Sequence, residues 1–128
     1  MGRIIVYNIH SEDFTNMSNN FYIGRTREGN PLSNPFTHKG SGSKIAKKVF
    51  NTREEAIEAY KEYFDENYGK DNELTRAFDA IYEHYRNGED VYLQCFCHPL
   101  PCHGDYLAER MERKLILENI EKKKKKND

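Results

Sequence analysis

Two periods organise the apolar positions of this chain. Residues 3–9, RIIVYNI, form a nearly unbroken apolar run with β-branched side chains, which predicts a buried strand. Residues 11–20, SEDFTNMSNN, are polar and read as a loop, and Phe21–Gly24 is a second short strand. Thr52-Arg53-Glu54-Glu55 is a capping-box signature. Behind it, Ala56, Ile57, Tyr60, Tyr63 and Phe64 fall on one helical face. Leu74, Ala77, Phe78, Ile81, Tyr82 and Tyr85 make a second stripe, which Asn87-Gly88 terminates. The period then shortens. Residues 90–97, DVYLQCFC, put Val91, Leu93, Cys95 and Cys97 on one strand face and Tyr92, Gln94 and Phe96 on the other. A proline-punctuated turn, HPLPCHGD, leads into a last helix from about Asp105 to Glu121. Leu107, Met111 and Leu115 define its inner stripe, and Ile116 and Ile120 extend it.

Strands interleaved with helices predict an α/β fold. The expected sheet is small, three- or four-stranded and flanked by helices, and Rossmann-like at the strand–turn–helix junction of residues 95–105. Residues 1–121 are expected to form a single domain and residues 122–128 a flexible Lys-rich tail. The stretch 25–51 holds two Asn-Pro pairs and several glycines, with no clear period before Lys44. A connection of this length is functional or disordered. Pro35 pushes Asn34 toward extended backbone, and Phe36 offers the loop an apolar anchor.

Charge changes this picture at one end only. The 128 residues carry a formal net charge of −1. Residues 122–128, KKKKKND, contribute +4, so the body carries −5. A basic patch for nucleic acid is therefore not expected. Mean hydropathy is −0.96. No apolar run approaches the roughly 20 residues of a membrane span, and the N-terminus lacks a secretory leader's apolar stretch. A cytoplasmic protein without a membrane partner is expected. The tyrosine-rich helix faces are read as core, with a homo-oligomeric interface as the alternative.

The candidate chemistry is concentrated. All three cysteines, Cys95, Cys97 and Cys102, fall within eight residues, and an odd count does not suggest a disulfide framework. Three readings compete. Cys95, Cys97, Cys102 and His103 have the identities of a Cys₃His zinc set, although C-x-C-x₄-C-H is not a usual zinc-finger spacing. Cys102, His103 and Asp105 are candidate catalytic groups, with a thiol activated by His103 or His98 and by a helix N-terminus. Alternatively the junction binds an anionic, nucleotide-like or ADP-ribose-like molecule. Backbone N–H groups at His103–Tyr106 would then take phosphate, Gly104 would allow close approach, and Arg25 would add charge. Phe36 or Phe96 would stack a base.

Gly24-Arg25, Leu32-Ser33-Asn34-Pro35-Phe36 and Cys95-Phe96-Cys97-His98-Pro99-Leu100-Pro101-Cys102-His103-Gly104-Asp105 together resemble a family of small domains of unknown function in bacteria and their phages. That family reads V-G-R … P-L-G-N-P-F … C-W-C-K-P-x-x-C-H-G-D, and the likeness covers roughly residues 20–115. Ser33 stands where the family often has glycine, Phe96 where it has tryptophan, and His98 where it has lysine. The last change removes a fixed positive charge, for which Lys39 and Lys44 are candidate replacements. The resemblance implies that Gly24, Arg25, Asn34, Pro35, Phe36, Cys97, His103, Gly104 and Asp105 form one site. Its phage occurrence implies an anti-defence role, holding a host nucleotide signal. It supplies no reaction. Binding is favoured over turnover, because no carboxylate pair sits in a motif and no serine nucleophile elbow is present. The alternatives are a nucleotide- or glycosidic-bond-acting hydrolase or transferase, and a structural zinc module.

Overall fold

The computed structural model describes residues 2–8, 10–26, 28–37, 48–49, 52–95 and 102–126. In chain order the elements are β1 (Ile4–Asn8), β2 (Asn20–Tyr22), β3 (Phe36–Thr37), β4 (Lys48–Val49), α1 (Arg53–Asn67), α2 (Glu73–Arg86), β5 (Val91–Cys95) and α3 (His103–Lys126). The expected α/β class is what the chain forms. Strands β1, β5 and β2 make a parallel sheet in that order. Strands β3 and β4 form a separate parallel pair inside the stretch read as an unpatterned connection. Two-residue strands have no period to detect.

The register sets Val6, Leu93 and Phe21 side by side across the sheet. This face shares one core with the helices: Val91, Leu93 and Cys95 pack with Tyr60, Phe64, Phe78, Leu107 and Met111. Tyr7 and Tyr92 project from the opposite face and are also buried. Phe14, from the preceding loop, covers them with ring centroids 5.2 Å and 5.0 Å away. The Tyr7 hydroxyl donates to Asn20 Oδ1. Burial on both sides is what a central parallel strand requires, so β5 reads as apolar rather than cleanly alternating.

The helix signals hold. Thr52 Oγ1 accepts from the Glu55 N–H at 3.1 Å, and Asn72 Oδ1 accepts from the Thr75 N–H at 2.8 Å. Ala56, Tyr60 and Phe64 are the buried stripe of α1, and Leu74, Phe78, Ile81, Tyr82 and Tyr85 that of α2. Helix α3 begins two residues earlier than expected and continues to Lys126. Its inner stripe needs correction. Leu107 and Met111 are fully buried, but Ile116 and Ile120 are 60% and 45% exposed. Each lies nine residues beyond a buried one, a rotation of about 180° at 3.6 residues per turn. Among the described residues, no helix is long and apolar enough to cross a membrane.

Candidate functional site

Because the three strands are parallel, Asn8, Tyr22 and Cys95 end at the same edge of the sheet. Beyond β5, residues 96–101 lie outside the described residues, Cys97 among them, and the chain returns at Cys102 to begin α3. The start of that helix is pinned to the sheet. A Cβ on Gly104 would come within 2.7 Å of Ile23 Cδ1 and 3.1 Å of Val6 Cγ1. The close approach that glycine allows is thus made by the sheet. Gly104→Val is expected to cost about 1–3 kcal/mol through overpacking, read from urea denaturation.

His103 is the second pin. Its Nε2 lies 2.7 Å from the Ile23 carbonyl, which only accepts, so this nitrogen carries the proton. The ring meets Tyr60 edge-on at 5.0 Å. Burial, with the Arg25 charge nearby, lowers the imidazole pKa to about 4. His103 is therefore a neutral, buried group bound to the backbone, not a poised acid–base residue.

The helix end closes on itself. The Cys102 N–H donates to Asp105 Oδ2 at 3.2 Å, and the Asp105 N–H donates to the Cys102 carbonyl at 3.1 Å. Of the N–H groups at His103–Tyr106 expected to take a phosphate, that of Asp105 is used internally. Cys102 Sγ lies 3.6 Å from Cys95 Sγ, and both residues are buried. The contact with Cys95, then burial, pushes the Cys102 thiol up. A nucleophilic thiol needs the opposite shift. Of the candidate zinc set, the fold brings Cys95 and Cys102 together, while His103 commits its Nε2 to Ile23. No group of three or more metal-ligating side chains forms among the described residues.

The Gly24-Arg25 and Asn34-Pro35-Phe36 blocks do meet. Arg25 Nη1 donates to the Asn34 carbonyl at 3.0 Å and the Phe36 carbonyl at 3.1 Å. Asn34, nearly buried, accepts from the Phe36 N–H at 2.9 Å and donates to the Ala56 carbonyl at 3.3 Å. The loop around Pro35 is thereby tied to the first turn of α1. The Phe36 ring stands edge-on to Tyr63 at 6.1 Å. A Cβ at Gly24 would run into the Tyr22 hydroxyl. Arg25 is half-buried, and among the described residues no carboxylate pairs with it and nothing bonds its Nε or Nη2.

Two supports escape a sequence reading. Asn30 Nδ2 donates to the carbonyls of Tyr22 and Gly24 at 2.8 and 2.9 Å, and the Tyr60 hydroxyl donates to the Leu32 carbonyl at 2.8 Å. The signal for Asn30 was its Asn-Pro pair, which marks a turn whose side chain bonds backbone.

A family model described as a domain of unknown function, DUF4326, matches residues 7–113. The chain belongs to this family. The DUF4326 match spans from β1 into α3 and contains every site residue considered above. No curated protein and no solved structure matches the chain.

Proposed function

We propose that this DUF4326 domain binds a phosphate-bearing, nucleotide-like small molecule, ADP-ribose-like molecules included, at the carboxyl edge of its parallel sheet. The observation that carries the reading is Arg25. A half-buried guanidinium without a carboxylate partner is costly unless an anion completes it. The carbonyls of Asn34 and Phe36 hold its Nη1, and among the described residues Nε and Nη2 are left as a preset fork, the arrangement that recognises phosphate in two-point fashion. The site lies where ligands bind in parallel sheets. Phe36, whose carbonyl takes the Arg25 Nη1, is the proposed stacking ring.

Sequestration is favoured over turnover. The contact with Cys95 holds the Cys102 proton and the His103 imidazole is sealed and neutral, an arrangement that favours binding over acid–base turnover of a ligand. The resemblance to phage domains makes a host defence signal in the cytoplasm the proposed cargo. Calorimetric titration against linear nucleotides, cyclic nucleotides and ADP-ribose tests this. At least one is expected to bind, and Arg25→Met is expected to weaken it about 10- to 100-fold, the worth of a charge-assisted contact. A thermal melt checks that the variant folds. No binding across the panel, or equal binding by a folded Arg25→Met, overturns the reading.

A further inference from the structure

Cys95 ends the central strand and Cys102 immediately precedes α3. Their sulfurs are 3.6 Å apart and both residues are buried. We propose that Cys95 and Cys102 form an oxidation site that closes an intramolecular disulfide between the end of β5 and the start of α3. The proposal stands apart from any ligand at the sheet edge.

The geometry calls for little movement. A disulfide needs the sulfurs at roughly 2.05 Å, an approach of about 1.5 Å from their present contact. Cys102 lies before the first helical residue, so its side chain can swing without breaking an intrahelical bond. Cys95 is the last paired residue of β5, opposite Asn8, and is similarly placed at an element's end.

The chemistry balances with a small disulfide as oxidant. One thiol of the pair ionises and attacks a sulfur of the oxidant, forming a mixed disulfide and releasing one oxidant thiol. The second protein thiol then gives its proton to solvent and attacks the mixed disulfide. The protein disulfide forms and the second oxidant thiol leaves. The protein loses two protons and two electrons, and the oxidant gains both. Cys102 donates its S–H to Cys95 and so keeps its own proton, which leaves Cys95 as the first thiol to attack. The pair is thus set to supply one thiolate at a time. In a reducing compartment such a bond would be transient and would report oxidation.

The full chain is treated with bis(2-hydroxyethyl) disulfide, and the products are read by intact mass and by peptide mapping after alkylation. The expected result is a loss of about 2 Da, for two hydrogens, reversed by dithiothreitol. The linked peptides carry Cys95 and Cys102, and Cys97 stays alkylatable. Cys97→Ser is expected to give the same loss. A bond through Cys97, a mixed disulfide that never resolves, or no mass loss overturns the proposal. Because the wild-type chain and a Cys97 variant carry the test, it does not depend on replacing a core cysteine.

Discussion

Acidification from pH 7 to pH 4 is expected to remove about 3 kcal/mol of folding stability through His103 alone. The buried imidazole has a pKa of about 4, against an ordinary value of 6.5. Between these values the unfolded chain takes up a proton and the folded chain does not. Stability from this group is therefore complete above pH 6.5 and is lost as pH falls toward 4, by about 1.4 kcal/mol per unit. Thr15 and Arg3 hold the Asp13 and Asp90 carboxyls below their usual range, so their losses centre below this window. Urea denaturation at pH 7, 6, 5 and 4 measures the slope. His103→Leu is expected to be less stable at pH 7, because the Ile23 carbonyl loses its donor, yet flatter with pH. An unchanged slope in that variant would show that another group controls the acid response.

Phe64→Ala is the substitution with the largest expected effect on the folded state. Phe64 is fully buried. Its ring stacks on Tyr68 at 5.2 Å, tilts against Phe78 at 5.3 Å and meets Tyr106 edge-on at 5.9 Å. It therefore joins α1, α2 and α3 at one point, with the Arg110 guanidinium 5.5 Å from its centroid. Removing the ring should cost about 3–5 kcal/mol, a large share of the roughly 5–15 kcal/mol that holds a domain folded. Chemical denaturation measures it. Ile116→Ala, on the exposed side of α3, serves as the contrast and should stay within about 0.5 kcal/mol. A Phe64 variant no worse than that one would mean the helices are not joined through this ring.

The elements read well from the sequence where the signal is local. Thr52 and its capping box mark the start of α1, and β1 and β5 stand out as apolar runs bounded by polar residues. Helix α3 shows the limit of a local signal. Leu107 and Met111 define a face, and Ile116 and Ile120 match it in apolarity but lie at the opposite angular position. The paired strands β3 and β4 were missed because two residues carry no alternation.

The site residues were recognisable by type and spacing, and their partners were not. Arg25, Asn34 and Phe36 do assemble, as the motif implied, but much of their bonding is to loop and helix carbonyls. Spacing points Gly104 and His103 toward a ligand, and the fold turns them to Ile23 and Val6. Sequence alone determined the types of the longer elements, the α/β class and the place of the cysteine–histidine cluster, because these follow from local periodicity and spacing. Tertiary structure decided which donors remain available. It pressed the start of α3 onto the sheet, sealed His103, brought Cys95 to Cys102 and, among the described residues, left Arg25 without a carboxylate. Whether a polar group is satisfied depends on what packs against it from distant parts of the chain, and no local pattern encodes that.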